Sequence, residues 1–176
     1  MAKPTIDQIR GIGDFATLYQ WNLDFASFPS AVGGGSSEDF NIRCISSEVP
    51  KATGSSIEVQ IRGHKVKQPG VYEPPRTLTL TFVEAVDMMV NKFFKDWRDA
   101  CYDMKTGEQR PKAEVEAVIL LTQLNRASNP IWQYTLYGVF IEDYDPTGGQ
   151  YDAASIDVLR PSLTISYDYF EDQPLA

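Results

Sequence analysis

The spacing of apolar and polar positions changes period several times along the chain, and the changes divide it into elements. Tyr19, Trp21, Leu23 and Phe25 alternate with Gln20, Asn22 and Asp24, a period of two that predicts a half-buried strand. Phe40, Ile42 and Cys44 alternate with Asn41 and Arg43, which predicts a second strand closed by Pro50. Ile57 to Arg62 alternates again, breaks at Gly63-His64, and returns through the basic run Lys65-Val66-Lys67 to Pro69-Gly70, the outline of a hairpin. Thr77 to Val83 sets Leu78, Leu80 and Phe82 against three threonines. The period then lengthens to three and four. Val86, Val90, Phe93, Trp97, Ala100 and Met104 share one face of a helix expected over residues 85–105, ended by Thr106-Gly107.

Beyond Pro111 the pattern predicts strands alone. Val115 to Leu124 is apolar on both faces, and Trp132 to Ile141 alternates, with Asn129-Pro130 marking the turn between them. A last strand sets Leu163, Ile165, Tyr167 and Tyr169 against Ser162, Thr164, Ser166 and Asp168, with Pro161 placed just before it. At the other end, Ile6, Ile9 and Arg10 sit one turn apart ahead of Gly11 and Gly13, a short helix within an arm over residues 1–17. Pro29 to Ser37, with Gly33-Gly34-Gly35, and the acidic stretch around Pro146 and Gly148-Gly149 read as surface loops. No internal repeat is visible. The sum is one mainly β domain over residues 1–176, flanked by one substantial helix.

Composition narrows the class. With 176 residues, 43% of them hydrophobic and 23% charged, the chain can bury a core without metals or disulfides, and disorder is excluded. A net charge of −8 argues against binding nucleic acid by phosphate neutralisation, yet it suits a surface past which a polyanion must move. The longest apolar run, Ala117 to Leu121, falls far short of the about 18 residues of a membrane span. Met-Ala-Lys-Pro-Thr-Ile-Asp has no apolar core of a secretory signal, so cytoplasmic synthesis is the expectation, and Cys44 and Cys101 are expected to be buried free thiols.

Candidate chemistry is sparse. His64 is the chain's one histidine, and beside Gly63 it reads as an exposed turn residue. Two distant cysteines and one histidine do not have metal-ligand spacing. Asp143, Asp145, Asp152 and Asp157 suggest calcium ligands, but the twelfth position counted from Asp143 is Ala154, so a solvated loop is expected. Gly33-Gly34-Gly35 lacks the lysine of a phosphate loop. Neither a cofactor nor catalysis is expected. A carbohydrate-binding β-sandwich with Trp21 or Trp132 as platform is the rival from another class. The positive signal is the sheet itself: strands with one apolar and one polar face, and edges that another chain can extend.

Four stretches carry a family resemblance: Arg43–Pro50, the hairpin Ile57–Gly70, Pro75–Phe82 with the following helix through Phe93-Phe94-Lys95-Asp96-Trp97, and Leu163–Phe170. In this order and spacing the chain resembles the tail tube proteins of contractile-tailed bacteriophages, relatives of the tubes of type VI secretion and other contractile injection machines. The resemblance implies an antiparallel β-sandwich or small barrel flanked by one α-helix, with inner sheets joining across subunits into a tube. It implies hexameric rings stacked helically, assembled in the host cytoplasm into a virion tail. Around them stand a sheath, a baseplate and a tail terminator, with the tape measure protein and DNA in the lumen, and this chain does not insert into a membrane. Glu58, Gln60 and Arg62 would line the channel, with Ile57, Val59 and Ile61 facing the protein's core and the strands Val115–Leu124 and Trp132–Ile141 adding to the wall. Lys65 and Lys67 would meet acidic groups of a neighbour, and the loops holding Val32, Asp145 and Asp152 would meet the next ring. A tube of a secretion or bacteriocin particle, or a tube-initiating baseplate protein, is the neighbouring reading.

Overall fold

The computed structural model describes residues 3–175; Met1 and Ala2 of the expected arm, and Ala176, lie outside the described residues. Along the chain run α1 (Ile6–Arg10), β1 (Trp21–Ser27), α2 (Ser37–Arg43), β2 (Cys44–Ser47), β3 (Gly54–Ile61) and β4 (His64–Tyr72). There follow β5 (Thr77–Phe82), α3 (Met89–Cys101), α4 (Lys112–Val115), β6 (Ala117–Leu124), β7 (Pro130–Asp145), β8 (Ser162–Ser166) and β9 (Tyr169–Pro174). Every pairing is antiparallel. Seven strands form one sheet in the order β1-β6-β7-β8-β5-β2, with β9 also on β7, while β3 and β4 pair only with each other.

The large sheet folds over on itself because β7 belongs to both layers. Trp132–Tyr137 pairs with β9, and Phe140–Asp145 pairs with β8. The bend falls at Gly138, whose φ of 64° is open to glycine at little cost. The Asp168 carboxylate, at the corner between β8 and β9, lies over the bare Cα and pairs with Lys112. Leu23, Ile119 and Leu136 from one layer meet Leu78, Leu80, Leu163 and Ile165 from the other in a single core. α3 closes one end of it. Phe93 packs on Phe40 at 4.9 Å and on Phe28 at 5.6 Å, and the fully buried Trp97 donates its indole N–H to the Val115 carbonyl at 2.7 Å.

Several elements depart from the periodicity reading. Phe40 and Ile42 sit on a helix, not a strand: the Ser36 hydroxyl accepts from the Asp39 amide, Glu38 and Asp39 fill the first turn, Phe40 is buried and Ile42 is exposed. The capping signal outweighs three alternating residues. α3 is shorter than the stripe suggests, and Val86 and Met104 lie outside it, exposed. The last strand is two, because the corner at Asp168 passes the chain from one layer to the other.

The start of α3 is built from a distance. Met88 occupies the N-cap in a left-handed conformation and offers no side-chain bond. Glu84 substitutes. Its carboxylate is almost wholly buried, accepts from the Asn91 amide at 2.6 Å, and also takes the Arg43 guanidinium at 3.3 Å. Arg43 in turn grips Asp87 with both nitrogens, at 2.8 and 2.6 Å. This tie between the end of α2, the 83–88 turn and α3 orients the helix over the core.

Two measurements check these joints. Gly138→Ala places a Cβ about 2.8 Å from Cγ of Asp168 at a positive φ. A destabilisation of about 2 kcal/mol or more is expected, seen as a fall of about 4–8 °C in Tm. The hydrogen bonds from Arg43 hold the Asp87 carboxyl down at about 2, from an ordinary 3.8. Its contribution is therefore full above 3.8 and disappears as pH falls through about 2. The Tm advantage of the wild type over Asp87→Asn is expected to shrink across that window; an advantage independent of pH there would refute the assignment.

Candidate assembly interface

The hairpin β3–β4 is the part of the molecule that the chain itself leaves unfinished. Arg62 and Gly63, at φ 48° and 86°, form a two-residue turn whose twist suits the flanking strands. Register places Val59 opposite Val66, Ile57 opposite Gln68 and Ile61 opposite His64, so Ile57, Val59, Ile61 and Val66 share one face. On the other face Glu58 opposes Lys67 and Gln60 opposes Lys65, with the Lys65 ammonium 2.8 Å from the Glu58 carboxylate. The apolar face has no cover: Ile57 is 53% exposed, Val59 37% and Ile61 62%. The expectation that these three face the protein's own core fails. β2 and β5 pair only as far as Ser47 and Leu80, and the chain beyond carries β3–β4 off the large sheet. A free two-stranded ribbon is marginal in water, since it buries too little to offset its ordering entropy.

Charge is divided along the same line. No strand of the large sheet carries a lysine, arginine or histidine; its charged residues are Asp24, Glu142, Asp143, Asp145, Glu171 and Asp172. The outward face of β5 and β8 is a field of hydroxyls, with Thr77 opposite Ser166, Thr79 opposite Thr164 and Thr81 opposite Ser162. On the outward face of β6, β7 and β9, Gln133 donates to Thr122 at 3.3 Å and Gln173 donates to Gln133 at 3.2 Å, with the apolar Leu120 beside them opposite Thr135. Two segments flank the acidic body with cations: the hairpin with Arg62, Lys65 and Lys67, and α3 with Lys92, Lys95 and Arg98.

The other residues singled out from sequence lie apart. Lys65 and Lys67 project from the hairpin's polar face beside Glu58 and Gln60, and Arg62 sits in its turn. Val32 is half-buried in the 28–36 loop and packs on the core, so it shapes that loop more than it presents a contact. Asp145 ends β7, accepts from the Thr147 and Gly148 amides, and is held below its ordinary pKa by those bonds. Asp152, exposed, caps a turn at Ala154. His64 is exposed on the hairpin. Cys44 and Cys101 are free thiols, half-buried rather than fully buried, and burial pushes Cys44 up to about 12. Trp21 and Trp132 are half-buried in their strands, and no cluster of metal-ligating side chains occurs among the described residues. Among the described residues no helix is long and apolar enough to cross a membrane.

Sequence reasoning missed one feature of the edges. α2 closes the outer edge of β1, where Asn41 Oδ1 accepts from the Leu23 amide at 2.9 Å and Ser37 Oγ from the Phe25 amide at 2.8 Å. No side chain is seen to cap β9 in this way, so the two edges of that layer are unequal.

No family model and no curated protein matches the chain. Solved structures do. A chain of the sheath–tube complex of an extracellular contractile injection system in its extended state aligns over 98% of this chain and 100% of its own, at 15% identity and a TM-score of 0.66. A chain of the sheath/tube terminator of such a system covers 92% and 99%, at 15% identity and a TM-score of 0.67. A type six secretion system protein covers 86% and 81%, at 10% identity and a TM-score of 0.50. The chain thus shares the mainly β fold of contractile injection system tube proteins.

The exposed hairpin has a measurable consequence. In dilute protein the amides of β3 and β4 are expected to exchange with solvent at least about a hundredfold faster than those of β6 and β7. Equal protection in both would mean that the chain supports its hairpin alone.

Proposed function

We propose that this chain is the tube subunit of a contractile injection particle, a structural protein that polymerises by covering its neighbours' unfinished hairpins. The observation that carries the reading is the amphipathic β3–β4 ribbon, whose Ile57, Val59, Ile61 and Val66 find no cover within the chain. The fold shared with tube proteins supports it. Residues 1–176 act as one tube domain, with residues 1–17 as an arm. Subunits form hexameric rings that stack, with a sheath outside and a baseplate and terminator at the ends.

The large sheet adds no cation to the channel wall, whereas the hairpin adds Arg62 in its turn and Lys65 and Lys67 beside Glu58 and Gln60. On β5 and β8 a passing polyanion meets hydroxyls, which do not hold it as ammonium groups would. Glu58, Gln60 and Arg62 extend this wall along the hairpin. Lys65 and Lys67 pair with carboxylates of an adjacent subunit, and the loops of Val32, Asp145 and Asp152 meet the next ring. In the finer reading the particle is a phage tail, and the lumen holds tape measure protein and then DNA during ejection. The work is mechanical: closed sheets resist bending, and no step of bond chemistry is required.

Negative-stain microscopy of the purified protein tests this. Rings or hollow tubes are expected at high concentration. Replacing residues 56–69 with a short Gly-Ser link is expected to leave the circular dichroism of the body intact while abolishing them. Wild-type protein that stays as solitary globules, or a hairpin-less variant that still polymerises, would sink the reading. Nucleic acid inside native particles separates a phage tail from a protein-delivering tube.

A further inference from the structure

The large sheet has an open end opposite α3, and there the core is not sealed. A groove of about 380 Å³ lies between the end of the N-terminal arm, the end of β2 and the strands β1, β6 and β7. Leu18, Trp21, Val49, Leu121 and Tyr134 give it an apolar lining. Leu18 is 94% exposed and Val49 51%, so both apolar walls stand in water. We propose that this groove is the receptor for the hairpin of a second copy of the chain, with the face bearing Ile57, Val59, Ile61 and Val66 laid into it. The proposal rests on the tube reading and names the site through which that assembly runs.

Three observations select this occupant. First, the two surfaces are complementary in kind: a narrow two-stranded ribbon with one apolar face, and an apolar slot, each uncovered in its own chain. Second, charge favours the match. Residues 54–72 hold Arg62, Lys65 and Lys67 against Glu58, a net +2 in a chain of −8, so the remainder carries −10. The charged residue lining the groove is an acid, Glu48, and Asp172 lies one strand away, opposite the lining Tyr134. Third, the N-terminal arm is excluded as occupant, because its own Thr17 and Leu18 form one wall. A hairpin-to-groove contact uses different patches on the two copies, so it is heterologous and propagates into rings or helices instead of stopping at a dimer.

Heterologous geometry permits a decisive mixing experiment. A hairpin variant carries Val59→Asp and Val66→Asp, and a groove variant carries Leu18→Asp and Val49→Asp; all four positions are solvent-exposed in the single chain. Each variant alone is expected to be monomeric by light scattering, with a melting curve like that of the wild type. Mixed in equal amounts, they retain one intact hairpin and one intact groove. The mixture is expected to form 1:1 heterodimers, with no longer polymer, where each variant alone associates at least about tenfold less. A second measurement does not depend on disrupting anything. Chains carrying Val59→Cys and chains carrying Val49→Cys, each with Cys44 and Cys101 replaced by Ala, are expected to be joined to each other by a short bis-maleimide.

Monomers in the mixture together with absence of the 59–49 cross-link would overturn the pairing. So would a groove variant that polymerises like the wild type. If wild-type tubes form while the mixture stays monomeric, the pairing is wrong and the tube reading stands. If the wild type never associates, the tube reading itself falls.

Discussion

β7 and the β8–β9 segment turn one corner together, and the contact that lets them do so is the Asp168 carboxylate over the bare Cα of Gly138. Because β7 runs through both layers, the sheet folds over without a separate connection. The inner faces then enclose one core, and the outer faces are left polar. Everything further out inherits its position from that corner. α3 reaches Phe25, Phe40 and Phe82 only because the layers converge at one end, and the groove exists because they part at the other. A side chain at position 138 would press the corner open, and the helix and the groove would both lose their geometry.

The large strands were legible because each buries one face. In Thr77–Phe82 and Ser162–Ser166 a period of two is forced by the core, and any other register would put Leu80 or Ile165 into water. α3 was legible for the same reason, through Phe93, Phe94 and Trp97. Alternation misled wherever it was short. Phe40-Asn41-Ile42 fits a strand as well as a helix, and only the Ser36–Asp39 cap decides between them. It misled differently in the hairpin. Ile57, Val59 and Ile61 announce a buried face correctly as a pattern, but a pattern does not say whose core does the burying. The groove left no trace in sequence, since its lining comes from four separate segments.

Charge partition gives assembly a direction. A chain whose large sheet has carboxylates as its charged groups repels its copies through those faces, which discourages irregular sheet-to-sheet stacking. The cationic hairpin is a local exception that lowers the energy of approach at one place. In the proposed seating Lys65 and Lys67 lie beside Glu58 and Gln60 on the face turned away from the groove, so the attraction acts through the net charge of the hairpin. In the proposed tube the same partition keeps cations off the large sheet's part of the wall.

Division of stability follows from division of burial. The body has its own core and can fold alone, whereas the β3–β4 ribbon gains most of its burial only on meeting another molecule. The ordering entropy of the hairpin is therefore met at the moment of association, which weakens the first encounter between free subunits. A growing end differs from a free subunit in one respect. In the proposed assembly several grooves are already fixed there in a ring, and a hairpin that lands in one would bring its own body's groove into register for the next. Each added contact then orders less chain than the first did, so elongation is favoured over nucleation. A tube, with two ends and a regular wall, is the product such a balance selects over a dispersed mixture of small oligomers.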